Sequence, residues 1–219
     1  MSIAKNIKRF QSELPENVTL VAVSKTKPID DLMEAYDAGQ RIFGENKIQE
    51  MTEKWNAMPK DIQWHMIGHV QRNKVKYMAE FVNLVHGVDS FKLLKEIDKQ
   101  AKKHSRVIDC LLQIKIAEEE SKFGLSKADA SDILTSDSFQ NLKHIRVTGL
   151  MGMATFTDDM AQVEREFKSL QTYFNTLKTN HPHLEILSMG MSGDYKLAID
   201  CGSTMVRIGS TIFGARNYS

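Results

Sequence analysis

Apolar and polar positions along the chain switch repeatedly between two periods. VTLVAVSK (18–25) is β-branched and apolar, as a buried strand is, and IDDLMEAYDAG (29–39) places Leu32, Ala35 and Tyr36 at helical spacing before a glycine stop. RIFGE (41–45) then predicts a strand and NKIQEMTEKWNAM a helix; QWHMIG (63–68) predicts a strand and QRNKVKYMAEF a basic helix. LVHGV (84–88) is a fourth strand, and DSFKLLKEIDKQAKKH a helix opened by Asp89 and Ser90, both N-cap types. In the second half, IDCLLQIKI (108–116) is the longest apolar strand and precedes a helix near 127–136. HIRVTGLMGM (144–153) leads to a long amphipathic helix, about 158–179. LEILSMG (184–190) leads to the short helix DYKLAIDCG, and TMVRIGSTIFGA (204–215) holds the last strand.

Strands rich in Val, Ile and Leu, separated by helices, argue for a parallel sheet covered on its outer face. Eight of them, each but the last followed by a helix, predict an α/β protein: a (β/α)8 TIM barrel, one domain over 1–219. A doubly wound open sheet is the competing architecture, but no GxGxxG follows the first strand. The four prolines, at 15, 28, 59 and 182, sit at element boundaries, and no repeat, linker or low-complexity tract suggests a second domain.

Composition adds exclusions. The chain is 42% hydrophobic and 26% charged, with a net charge of +1, so no global field draws nucleic acid or an anionic membrane. Any anion site is local. Cys110 and Cys201 are too few for a disulfide framework and lack metal-ligand spacing; they read as buried thiols in a reducing compartment. The N-terminus lacks the apolar core of a signal peptide and no run approaches a membrane span, so a cytoplasmic protein is expected.

In a parallel barrel the chemistry collects where the strands end. Those ends carry Lys25 and Lys27, Glu45 and Asn46, His65 to His69, ESKFG (120–124), Met151 to Met153, SMGMS (188–192) and RIGST (207–211). Ser192 stands at a strand-to-helix junction and Gly209, Ser210 and Thr211 at the end of the eighth strand, where barrels often cup a phosphate; plain capping and turn roles explain them as well. Lys25 and Lys27 share one strand face. Desolvation and a neighbouring cation depress an amine's pKa and make it a nucleophile towards an aldehyde. The pattern suits a phosphorylated carbonyl ligand, pyridoxal 5′-phosphate (PLP) or an aldolase substrate, and does not choose between the lysines. His65 and His69 lack the geometry of a metal pair, and the basic run 71–76 reads as a solvated face before it reads as a nucleic-acid surface.

The motifs AVSKTKP, DAGQRIFGEN, WHMIGHVQRNK, EEESKFG, GLMGM, SMGMSGD and VRIGSTIFG, in order from about Thr19 to Ala215, resemble the pyridoxal phosphate homeostasis family. The barrel of that family is similar to the N-terminal domain of alanine racemase. The resemblance implies that Lys25 holds PLP as a Schiff base, with Lys27 at the pocket edge. It implies a phosphate cradle of Ser192, Gly209 and Ser210, with Met191 lining the same cup. It sets Arg207 against the pyridine nitrogen and Asn46 and His65 near the ring. A guanidinium disfavours protonation of that nitrogen, leaving a weak electron sink. Alanine racemase works with such a sink by means of two opposed bases, one of them supplied across its dimer from a C-terminal β-domain; this chain ends at Ser219, so no such domain is expected. The expected role is therefore to hold, carry or deliver PLP rather than to turn substrate over, as a monomer with apo PLP-dependent enzymes as recipients. The alternatives are a racemase-like enzyme, with Lys27, His65 or Tyr195 as second base, a cofactor-free aldolase, and a regulatory barrel that binds partners through its 71–76 face.

Overall fold

The computed structural model describes residues 2–118 and 123–214; residues 119–122 of the EEESKFG motif lie outside them. The chain opens with α1 (Ile3–Glu13), β1 (Thr19–Val23), α2 (Ile29–Asp37), β2 (Ile42–Glu45), α3 (Ile48–Ala57) and β3 (Gln63–Met66). A 3₁₀ segment (Arg72–Tyr77) leads to β4 (Val82–Val88), α4 (Phe91–Lys103) and β5 (Ile108–Gln113). Then follow α5 (Lys127–Thr135), α6 (Asp137–Gln140), β6 (Ile145–Met151) and α7 (Met160–Asn180). The last elements are β7 (Ile186–Met191), α8 (Tyr195–Asp200), β8 (Met205–Ile208) and α9 (Ser210–Phe213). The strands pair in chain order and all parallel, and β1 closes on β8 with Val21 opposite Arg207. The protein is a (β/α)8 barrel.

Alternation along the strands separates two cores. Ala22, Phe43, Trp64, Leu112, Leu150 and Val206 face outward and join the large cluster beneath the helices. Val21, Leu84, Leu111, Met151 and Met205 form a second cluster, with Ile42, Ile67 and Ile186 against it, which fills the lumen.

Three details differ from the sequence pattern. The basic stretch after β3 forms a six-residue 3₁₀ segment instead of an α-helix. The five residues from Ile67 to Gln71 carry the chain across the mouth before this segment begins. An additional helix, α1, precedes the barrel, burying Ile7 and Phe10, and Asn6 Nδ2 donates to the Ile212 carbonyl at 2.9 Å. At α4 the hydroxyl of Ser90 caps the helix, which leaves Asp89 for a different partner, His69.

Candidate functional site

The loops at the C-terminal ends of the strands enclose a cavity of about 520 Å³. Of the residues singled out in the sequence, Lys25, Asn46, Met191, Ser192, Arg207, Gly209 and Ser210 all line it, together with Lys27. Val23, Ile67, Met153, Phe123 and Phe156 supply an apolar wall. Among the described lining residues the fixed charges are two ammonium groups, one guanidinium and the carboxylate of Asp194, so the cavity suits an anion.

The turn after β1 carries both lysines. It is closed by Lys27 N–H donating to the Ser24 carbonyl at 3.1 Å, with Thr26 at φ 63°. Lys27 Nζ donates to the Phe213 carbonyl at 2.8 Å and so ties this turn to α9. On the opposite wall the N–H of Gly209 donates to Ser192 Oγ at 3.2 Å, which leaves the serine its own proton to donate onward. The N–H groups of Ser210 and Thr211 open α9 and have no acceptor within that helix. Among the described residues, none beyond the immediate chain neighbours comes within 4 Å of where a Cβ would stand at Gly193 or Gly214, which leaves room there for a ligand to approach the backbone. Gly68 shows the reverse constraint: a Cβ on it would stand 2.5 Å from the Asn46 carbonyl oxygen, and this close approach sets where Asn46 enters the mouth.

Arg207 is almost wholly buried at the floor of the cavity. It donates from Nη1 to the Ser188 carbonyl (2.9 Å) and hydroxyl (2.6 Å), and from Nη2 to the Gly152 carbonyl (3.1 Å). Burial lowers its pKa to about 10, opposed by the Asp194 carboxylate, so it remains a cation at neutral pH. Asp194 accepts the Met191 N–H at 2.6 Å, and burial raises its carboxyl above the usual range.

His65 is not among the residues lining the cavity. It lies in the barrel interior, its Nδ1 3.1 Å from His86 Nε2, and His86 Nδ1 is 3.1 Å from Ser188 Oγ. Arg207, Ser188, His86 and His65 thus form one buried polar chain above the apolar plug. A consistent proton order has Ser188 donating to His86 Nδ1 and His86 donating from Nε2 to His65. Burial pushes His65 down to about 3, and His86 lies well below the imidazole range, first from burial and then because a proton on it would be repelled by its neighbours His65 and Arg207.

The sign of the resulting pH dependence follows directly. The unfolded chain takes up these protons as pH falls below 6.5 and the fold does not. Stability present above that pH is therefore lost towards pH 3, by about 1.4 kcal/mol per pH unit for each imidazole. His65→Gln is expected to flatten the loss between about pH 6 and pH 4 by that slope, read from urea midpoints; an unaltered slope would refute the neutral, buried state.

Several contributors were not singled out in the sequence. Asp194 and Gln113 line the cavity. His69, weighed in the sequence at a strand end and as half of a metal pair, lines it too, with Nδ1 3.1 Å from Asp89 and its ring stacked on Phe123 at 5.1 Å. Beneath the β1 turn, Lys54 of α3 is buried between Glu45 and Glu50. Lys54 was legible in principle: it continues the buried spacing of Ile48 and Met51 on α3, where an exposed lysine would not fall. A second depression of about 570 Å³ adjoins the mouth through Asn46 and His69, and Gln71, Lys74 and Tyr77 of the basic segment line it.

Comparison with known proteins agrees with this geometry. The family model for the alanine racemase N-terminal domain matches residues 1–217. A curated relative from Pasteurella multocida, named pyridoxal phosphate homeostasis protein, is 40% identical over the full length of both chains. The Synechococcus elongatus protein PipY, solved with PLP bound, superposes with a TM-score of 0.87 at 34% identity, covering 97% of this chain and all of that one. Alanine racemase from Clostridium difficile, at 14% identity and a TM-score of 0.78, covers 99% of this chain and 59% of its own, a likeness of fold alone. With the alanine racemase N-terminal model along nearly its whole length and a full-length relative so close, this chain belongs to the pyridoxal phosphate homeostasis protein family.

Proposed function

We propose that this protein binds PLP in the barrel mouth, held covalently by Lys25, and serves intracellular PLP homeostasis as a store and carrier of the cofactor. The observation that carries the reading is the cavity of about 520 Å³ that joins two lysines and a buried arginine to the Ser192–Gly209–Ser210 wall. The residues fit the group. The volume lies in the range of small-ligand sites, the charge balance favours a phosphate, and the apolar wall suits an aromatic ring. When bound, PLP supplies an aldehyde that a lysine amine captures.

The chain's own groups divide the work. Lys25 provides the amine. The Ser192 hydroxyl and the N–H groups of Ser210 and Thr211 hold the phosphate, Gly209 positions Ser192 through its own N–H, and Met191 and Asn46 border the ligand. Arg207 keeps its charge and disfavours protonation of a ligand nitrogen set against it, which weakens electron withdrawal from the bond to be broken in turnover chemistry. His65 acts from below, within the polar chain that steadies Arg207. In this reading the protein works in the cytoplasm as a monomer, and apo PLP-dependent enzymes are its recipients.

Mixing the purified protein with PLP is expected to give a visible absorbance band and, after borohydride reduction, a pyridoxyl mass on Lys25. Transfer to an apo-enzyme faster than release into buffer supports the carrier role; transfer no faster than release removes it. A racemase-like reading retains one observation, His69 backed by Asp89 within the same cavity. Of the three bases considered from sequence, Lys27 donates to the Phe213 carbonyl, while His65, bonded to His86, and Tyr195 are not among the residues that line the cavity. Incubation with single-enantiomer amino acids in deuterated water separates the two, since deuterium at Cα with useful turnover would replace the carrier reading.

A further inference from the structure

We propose that Lys54, acting with Glu50, is a positioning residue that aims Lys25 into the cavity; this rests on the reading of Lys25 as the capturing lysine. The direction in which a side chain leaves the backbone is set by the two peptide units that flank its Cα. At Lys25 both units are gripped by one ion cluster. Lys54 Nζ donates to the Ser24 carbonyl at 2.8 Å, in the unit before Lys25. Thr26 N–H, in the unit after it, donates to Glu50 Oε1 at 2.6 Å. The two grips are one object, because Lys54 Nζ also donates to that same Glu50 oxygen at 2.7 Å. Its third proton goes to Glu45 Oε1 at 2.8 Å, which accepts the Ser24 hydroxyl at 2.6 Å as well. All three ammonium protons are thereby committed around the turn.

Two further observations favour positioning over plain packing. Thr26, a β-branched residue, is held at φ 63°, a strained conformation that survives only where its surroundings over-determine it. Lys54 is 5% exposed on a helix whose neighbouring buried positions, Ile48 and Met51, are apolar. A methionine would fill that stripe but leave the Ser24 carbonyl and Glu45 without their donor, so the ammonium answers to the turn rather than to the core.

The test uses the apo-protein, PLP and borohydride, with peptide mapping of the pyridoxyl group on Lys25 and Lys27. Glu50→Ala touches a partly exposed residue and keeps the core intact. It is expected to slow labelling of Lys25 by roughly tenfold to a hundredfold and to lower the Lys25-to-Lys27 ratio while circular dichroism remains native. Glu50→Gln, whose amide oxygen still accepts the Thr26 N–H, is expected to restore most of the rate and the ratio. Lys54→Arg is expected to recover more than Lys54→Met, and if the latter does not fold, Glu50→Ala decides alone. Folded Glu50→Ala with wild-type rate and ratio would overturn the proposal. Wild-type protein left unlabelled at Lys25 would overturn the cofactor reading itself, and the proposal with it.

Discussion

Lys25→Ala is expected to abolish covalent capture of PLP: no visible band forms and borohydride fixes no pyridoxyl mass on the β1 turn. Lys27→Ala is expected to retain both signals. The two lysines line one cavity, but the structure gives them different surroundings. Lys27 ties the turn to α9 through the Phe213 carbonyl, a charge-assisted contact worth about 1.5–3 kcal/mol. Its removal should therefore weaken PLP binding by no more than about a hundredfold. Mass spectrometry of the reduced protein reads both variants in one experiment. Capture that survives in Lys25→Ala and vanishes in Lys27→Ala would reverse the assignment.

Lys54→Met is expected to cost about 3–5 kcal/mol of stability, because it strands a buried carboxylate. Glu45 is wholly inaccessible, its Oε1 is held by Lys54 and Ser24, and its Oε2 has no hydrogen-bond partner. Burial raises the Glu45 pKa above 4.5 even with Lys54 beside it. Without the ammonium the folded-state pKa rises further, so the fold binds more protons than the unfolded chain between the two values. The deficit is then full above the folded pKa and shrinks as pH falls towards the unfolded one. Denaturant midpoints at neutral and mildly acidic pH check this, and Glu45→Gln added to Lys54→Met should recover part of the loss. A deficit that does not change with pH, or no recovery in the double variant, would show that Glu45 is not the stranded group.

The barrel was legible because its cause is a repeating one. Each apolar run must be buried on two faces and each following helix must cover it, so the alternation of periods carries the topology. The mouth was legible for a related reason: strand ends converge there whatever the fold's size, and seven predicted residues meet around one cavity. What escaped is the support beneath. His86 sits inside an apolar strand, LVHGV, and nothing local shows that Ser188, 102 residues away, will meet it. Lys54 looks like any helix lysine unless its place on the buried stripe is weighed, and its partners at Ser24 and Glu45 come together only once β1 and β2 pair. The 3₁₀ segment escaped because apolar spacing alone does not separate a tight 3₁₀ run from an α-helix.

The apolar plug of Val21, Leu84, Leu111, Met151 and Met205 has a consequence for traffic. It fills the barrel below the Arg207–His65 chain, so among the described residues ligand reaches and leaves the cavity by way of the mouth, where arrival and departure compete. A recipient that drew its cofactor directly from this protein would have to cover the same opening through which free ligand enters. Direct handover and uptake from solution would then exclude one another in time, and excess free PLP should slow delivery instead of speeding it.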